Sequence, residues 1–345
     1  MGECLITRRG GEAYELPVLN SAYPANVTVV EAANASASFN VQIATPGKPA
    51  EYTYQWYLNG AKISGATNSS YTKTGLTAAG THTLYCVVTN KAGTVTSRVA
   101  TLTVANSKPT YTYTGSHQMI DEGGYNWRIK FLSSGTLKFT NLGSGTNGID
   151  VFLVGGGGSG GTGGGGGGYT KKSVVTSVRA TAYSIVVGAG GAIGSDYRKG
   201  VNGGNSSAFG VTASGGKGGN NWYDSNSNGN GGAGGSGGGG FGGDSAPGGG
   251  GLNGGNGRDG VRGAGGAGQG TTTGEFGVAS ATRYGGGGMG AGAYNDSNHS
   301  TAEGGGSRCQ NGVTNRGGGG GGYAVNSNTT TGKGGSGIVI IRNKR

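Results

Sequence analysis

Charged residues are scarce in this chain, 12% of its 345 positions, and hydrophobic ones reach only 32%. By that measure alone the chain has too little apolar surface to offset its own entropy and reads as disordered. Cysteine is scarcer still. Cys4, Cys86 and Cys309 stand too far apart for a metal-ligand spacing, and an odd number excludes a complete intrachain disulfide set. The three histidines, His82, His117 and His299, share no local motif with a nucleophile or a carboxylate pair. The adjacent Asp121-Glu122 reads as solvated charge on a turn. No run approaches the ~18 apolar residues that cross a bilayer, so no membrane insertion is expected. The opening Met1-Gly2-Glu3-Cys4-Leu5-Ile6-Thr7-Arg8-Arg9 lacks the apolar core of a leader, which suggests synthesis in a cytoplasm without a signal peptide. With only 6 prolines and contiguous rather than every-third glycines, a collagen helix is out.

Glycine is what the chain has instead, 86 residues where an ordinary protein of this length has about 7%. The glycines crowd into the region after Val154, and β-patterned stretches interrupt them, so the average composition hides two regimes. Charge is divided the same way. Up to Asn106 there are seven Lys and Arg against five Asp and Glu; from Ser107 there are nineteen against ten. The excess of the net +11 therefore sits in the glycine-rich part. It suits a polyanionic partner such as a bacterial envelope, and equally the solubility of a large repetitive surface.

Residues 21–105 read as short strands with regularly spaced turn signals. Val27 and Val29 share a face; Ala37, Phe39, Val41 and Ile43 alternate. Tyr52-Thr53-Tyr54-Gln55-Trp56-Tyr57-Leu58 closes on Asn59-Gly60, a strong hairpin signal because both residues tolerate positive φ. Thr83-Leu84-Tyr85-Cys86-Val87-Val88-Thr89-Asn90 and Thr101-Leu102-Thr103-Val104 follow. Through Trp56 in Tyr-Gln-Trp-Tyr-Leu-Asn-Gly and Cys86 in Tyr-Cys-Val-Val-Thr-Asn-Lys-Ala-Gly, this stretch resembles the immunoglobulin-like domains of bacterial surface and phage tail proteins. The resemblance implies that Trp56 and Cys86 pack together. The partner cysteine on the second strand is replaced by Phe39 or Val41, and the tyrosine-corner position is Leu84, so no inter-sheet disulfide is implied. Residues 1–20 read as a separate N-terminal extension, an attachment segment.

A second β-domain is expected over 106–345. Trp127–Leu132 and Thr136–Thr140 flank Ser133-Ser134-Gly135 as a hairpin. Val174-Val175 and Tyr183–Val187 look like paired strands, and Ser206–Gly210 with Val211–Gly216 like a tight hairpin. The final Gly337-Ile338-Val339-Ile340-Ile341-Arg342 should be a central strand of the same sheet set, closing the domain on itself.

The glycine runs, mainly 155–168 and within 215–337, admit several readings. A flexible linker would have few aromatics and no returning strands. Glycine-rich β-turn structure is possible. An array of polyglycine II helices, with three residues per turn and about 3.1 Å rise, pairs outward-pointing N–H and C=O groups between neighbours. Such an array satisfies the backbone without an apolar core, and the returning strands favour it. Many Gly-x-Gly-x-x-Gly matches occur, but none opens an amphipathic helix, so no dinucleotide site is read; no cofactor is expected. Arg9-Gly10-Gly11 and Arg316-Gly317-Gly318 are too few for a dense nucleic-acid-binding tract, so nucleic acid is an unlikely partner.

Four motifs in order carry a second resemblance: Val151-Phe152-Leu153-Val154 running into 155–158, Val186-Val187-Gly188-Ala189-Gly190-Gly191, Ser206-Ser207-Ala208-Phe209-Gly210 with Ala213-Ser214-Gly215-Gly216, and the C-terminal apolar strand. Together they resemble the glycine-rich domain of phage tail proteins and, more distantly, the tip adhesins of T-even-type long tail fibres. The opening Leu5-Ile6-Thr7-Arg8-Arg9 through Leu16-Pro17-Val18-Leu19 also looks like the starts of prophage tail proteins from gut Gram-positive bacteria. The class expected is all-β: an immunoglobulin-like sandwich followed by a glycine-rich domain with packed polyglycine II helices. The function implied is a virion structural protein, a non-enzymatic tail adhesin that contacts a bacterial receptor, protein or glycan, through loops between runs. Its N-terminal part would bind other virion proteins. A head fibre and an Arg-Gly nucleic-acid binder are the alternatives. The loops 220–227, 271–284, 293–303, 308–316 and 323–331 hold the large side chains, and antiparallel runs should place successive loops at opposite ends. Candidate receptor-binding residues are Trp222, Tyr223, Phe276, Tyr284, Tyr294, His299, Arg308 and Tyr323. They read either as rigid contact residues or as caps shielding the array.

Overall fold

The computed structural model describes residues 6–7, 13–143, 146, 148–179, 181–221, 229–241, 274–278, 281–290, 304–307, 309–323 and 330–345. They form two compact units, 1–108 and 109–345. Both are built from strands and extended chain, so the protein is all-β.

The first unit contains β1 (Ile6–Thr7), β2 (Ala13–Tyr14), β3 (Val18–Leu19), β4 (Val27–Val30), β5 (Ser36–Asn40), β6 (Ile43–Thr45), β7 (Thr53–Leu58), β8 (Ala61–Lys62), β9 (Ser70–Thr74), β10 (Gly80–Asn90), β11 (Gly93–Thr96) and β12 (Ala100–Ala105). The main sheet runs β4-β12-β10-β7-β8, with β11 also on β10, and β5-β9 and β3-β6 form separate pairs. Trp56 lies opposite Cys86 across β7 and β10, and both are fully buried with Phe39, Leu84 and Leu102. The indole donates to the Asn68 carbonyl at 3.0 Å, which satisfies its buried N–H. Cys86 is a free thiol. Asn59 and Gly60 turn at φ 50° and 81°, and Leu58 pairs Ala61, the expected two-residue hairpin.

The expected boundary near residue 20 is displaced. β3 pairs β6, Glu15 and Lys48 exchange backbone hydrogen bonds, and the Asn90 amide donates to the Glu15 carbonyl at 2.8 Å. Residues 13–19 are thus stitched into the first unit. Two-residue strands broken by Pro17 carry no readable period, so their pairing was invisible in the sequence.

The second unit begins with β13 (Thr110–Tyr113), β14 (His117–Asp121), β15 (Trp127–Phe131), β16 (Gly135–Asn141), β17 (Ile149–Val154), β18 (Thr170–Val175), β19 (Ala182–Ile185), β20 (Ser206–Ala208) and β21 (Val211–Ala213), and ends with β22 (Ile338–Asn343). A five-stranded sheet, β14-β15-β22-β17-β18, packs on a three-stranded one, β13-β16-β19, and on the hairpin β20-β21. Trp127, Ile129, Phe131, Ile149, Val151, Leu153, Val339 and Ile341 fill the space between them with Leu137, Phe139 and Ile185. The opposite face buries Phe152, Val154, Ile338 and Ile340. Burial on both faces is why Val151–Val154 of β17 and Ile338–Ile341 of β22 are continuous apolar runs rather than alternating ones. β22 is central, as its composition requires.

Two expected pairings are replaced. The segment 133–135 does not close a hairpin: β15 and β16 belong to different sheets. Phe131 and Leu137 enter one core from opposite sides, and the Val187 N–H is held by Ser134 Oγ at 2.9 Å in the crossover. Val174-Val175 and 183–187 do not pair either, since β18 lies on β17 and β19 on β16. The hairpin at Phe209-Gly210, φ 51° and 76°, forms as expected.

The glycine segments are extended runs bonded sideways. In run 155–161 the N–H groups of Gly155, Gly158 and Gly161 donate to Tyr169, Gly166 and Gly163. Those of Gly156 and Ser159 donate to Gly204 and Val201, and those of Gly157 and Gly160 to Gly335 and Gly332. Its carbonyls accept from 216 and 219, from 191, and from 320 and 323. Donors rotate through three neighbours with a period of three and acceptors face three others, as a threefold extended helix in a hexagonal array demands. A Cβ on Gly157 would sit 2.1 Å from the Gly318 carbonyl oxygen, so no other residue fits at that helix contact.

Candidate functional site

The array has two unlike ends. Run 155–161 follows β17 without a break, 163–169 leads into β18, and 331–337 leads into β22. These strands are neighbours in the five-stranded sheet, so three adjacent runs are continuations of three adjacent strands. The sheet end is therefore anchored. The far end is marked by the turn Gly161-Thr162-Gly163, where Thr162 donates to Arg198 (2.8 Å), Gly163 to Asn220 (3.1 Å) and Tyr323 to Gly161 (2.7 Å).

On that far end the Tyr197 and Tyr323 rings lie 4.7 Å apart, tilted by 49°. The Arg198 guanidinium stands 5.3 Å from the Tyr197 ring centre and 3.3 Å from its hydroxyl. The turn is set by Asp196, whose carboxylate accepts the Arg198 N–H at 3.0 Å while its carbonyl accepts that of Lys199. Tyr197 remains 38% exposed, and Lys199 is exposed beside it. Partial burial, then the neighbouring Tyr197, raises the Tyr323 phenol above its ordinary value. Two rings and a guanidinium on a rigid turn offer amphipathic contact area with little side-chain entropy to lose.

Of the residues singled out in the sequence, Tyr323 lies in this cluster. Trp222, Tyr223, Tyr294, His299 and Arg308 fall outside the described residues. Asn220 and Asn230, which bracket 222–228, are hydrogen-bonded to each other (2.9 Å) at the far end. Phe276 and Tyr284 are at the opposite end, against the sheet. Tyr284 is 3% exposed, packs on Phe152 at 5.4 Å and donates to Glu275 at 2.9 Å, so it is a core side chain rather than a contact residue. Burial first, then the Glu275 charge, pushes its phenol far up. Phe276 rests between Phe152 and Arg342. The expected loop 308–316 contains part of the array: Gln310 accepts from Gly321, and Gly312 donates to Lys333. Tyr197 and Arg198 were missed because Asp196-Tyr197-Arg198-Lys199 precedes the main glycine tract; a polar, aromatic island between two glycine segments was the available signal.

Among the described residues no three His, Cys, Asp or Glu side chains are grouped to hold a metal, and no helix is long and apolar enough to cross a membrane.

The glycine-rich domain family matches residues 132–344, more than half of the chain, and the protein belongs to that family. A search of curated proteins finds no match.

Proposed function

We propose that this protein is a surface adhesin of a phage tail, which docks on a bacterial receptor with the far end of its glycine array. The observation that carries the reading is the polarity of the array: one end continues into the sheet, and the other presents Tyr197, Arg198 and Tyr323. The hydrogen bonds that join run to run are mostly between backbone groups, and none of those given for the array uses the Tyr197 or Tyr323 side chain, so these end residues can change without unfolding it. That is the property a receptor-binding surface under changing hosts needs. Virion assembly and tail placement belong to the same proposal, supported by the resemblance of the ordered β and glycine motifs.

The test is binding of the labelled full chain to candidate host cells, beside thermal melting. Tyr197→Ala with Tyr323→Ala should lower binding roughly tenfold or more, because two central aromatic contacts are typical energetic anchors. The melting midpoint should stay put. Unchanged binding would place recognition elsewhere, and a fall in melting would make the pair structural.

A further inference from the structure

We infer that the outer face of the five-stranded sheet carries a second binding site, for a sugar-sized anion with a carboxylate or phosphate group. A cavity of about 330 Å³ opens there, lined by Asp150, Lys172, Val174, Phe276 and Arg342. That is near the lower limit of small-ligand pockets, about 300–1,000 Å³. It lies at the sheet and is separate from the far-end surface.

The sheet register brings these side chains together. Asp150 pairs both Val174 and Arg342, and Lys172 pairs Phe152, so all stand on the face that also holds Phe152 and Ile340. Arg342 is fixed from two sides. Its Nε donates to Asp150 Oδ2 at 2.9 Å, and its guanidinium lies 4.1 Å from the Phe276 ring centre. Its two terminal nitrogens meet no acceptor among the described residues, and Lys172 has no partner there either. The one carboxylate in the pocket is already engaged by Arg342. What remains is an oriented guanidinium edge beside an ammonium, the donor set that grips a carboxylate or phosphate.

Phe276 supplies the second, independent observation. It holds φ 55°, ψ 20°, a left-handed conformation that is a genuine outlier for a bulky side chain. Glu275, 3% exposed, keeps it there through Arg128, Lys130 (3.1 Å) and Tyr284 (2.9 Å). A left-handed backbone held by a buried ion cluster fixes the direction of the side chain it carries. Here it sets the ring under Arg342 and leaves Phe276 and Val174 as an apolar wall for the body of a sugar.

The probes are glucuronate, glucose 6-phosphate, glucose and inorganic phosphate, titrated calorimetrically into the full chain. Glucuronate or glucose 6-phosphate should bind, glucose should not, and inorganic phosphate should bind more weakly than the sugar phosphate. Lys172→Glu should weaken binding roughly tenfold or more, the worth of a charge-assisted contact. Val174→Trp, at a half-exposed position, should block the cavity with melting unchanged. Lys171→Ala, on the opposite face of β18, should bind as the parent does. Failure of both acidic sugars to bind overturns the site. So does equal binding in Lys172→Glu, or equal weakening in Lys171→Ala, which would make the attraction general charge.

Discussion

Gly318 is the tightest point described in the array: a Cβ there would lie 1.7 Å from the Gly304 carbonyl oxygen, a backbone atom that cannot rotate aside. Gly318→Ala should cost about 1–3 kcal/mol or more as overpacking. A unit of this size then melts lower by about 2–4 °C per kcal/mol. Gly80→Ala, whose nearest neighbour is a histidine tip at 3.9 Å, is the control and should change little. Calorimetry of the two variants checks the contrast; a Gly318→Ala protein that melts like the parent would exclude close helix approach. Cysteines give a second residue-scale test. Burial pushes the Cys86 thiol up to about 11 from 9.0. Its neutral form is favoured in the fold, so the stabilisation is fully present below pH 9 and lost as pH rises through 11. Iodoacetamide at pH 8, read by peptide mass spectrometry, should label the partly exposed Cys309 and spare Cys86. Melting of the first unit should fall more steeply between pH 8 and 10.5 in the parent than in Cys86→Ala. The burial of Cys86 was legible from the resemblance to immunoglobulin-like domains, which implies that it packs on Trp56. The tightness at Gly318 was legible only as glycine content, since which carbonyl faces it depends on the array.

At the scale of elements, the anchoring turn at 275–277 joins array to sheet through one carboxylate. Glu275→Gln would leave Arg128 and Lys130 without their shared counter-charge. Arg128 keeps Glu122, and both cations are about one-fifth exposed, so the loss should be at the lower end for a buried pair, about 2–3 kcal/mol. Tyr284→Phe removes one hydrogen bond and should cost about 1 kcal/mol. Urea unfolding followed by far-UV dichroism measures both; equal costs would mean the charge cluster contributes nothing of its own. None of this was readable beforehand. Glu275 lies about 145 positions from its cationic partners, and Phe276-Gly277 looks like any polar turn. The edges of the array were hidden for the same reason. Asn205 and Asn202, three residues apart, accept the N–H groups of Gly215 and Gly218 at 3.0 Å, and Asn311 accepts that of Lys333 at 2.8 Å. An asparagine side-chain carbonyl thus takes the place of a missing neighbouring run. Local hairpins such as Asn59-Gly60 were readable because their geometry is decided by two residues. The pairing of β15, β16, β18 and β19 was not, because two sheets compete for strands of similar composition.

For the whole molecule, closure of the second unit depends on its last strand. β22 inserts between β15 and β17, so Ile341 pairs Ile129 and Val151, contacts more than 180 residues apart in sequence. Strand and array are one piece there, because run 331–337 feeds β22 and also accepts from Gly157 and Gly160. Deleting residues 338–345 removes four buried apolar side chains, Ile338, Val339, Ile340 and Ile341, and uncovers both faces of the sheet core. At about 1.5–3 kcal/mol for each such side chain, the loss rivals the whole stability of a domain. The truncated chain should therefore lose the second unit's cooperative transition. The first unit has its own core around Trp56 and Leu102 and should keep its transition at the parent's midpoint. Differential scanning calorimetry, with Trp56 fluorescence reporting on the first unit in a Trp127→Phe, Trp222→Phe background, separates the two. Two transitions persisting in the truncated chain would show that the array holds its runs together without the sheet. Loss of both would show that the two units fold as one. Refolding of the parent should be slow in the second unit alone, since contacts this distant in sequence form only after a large loss of chain entropy.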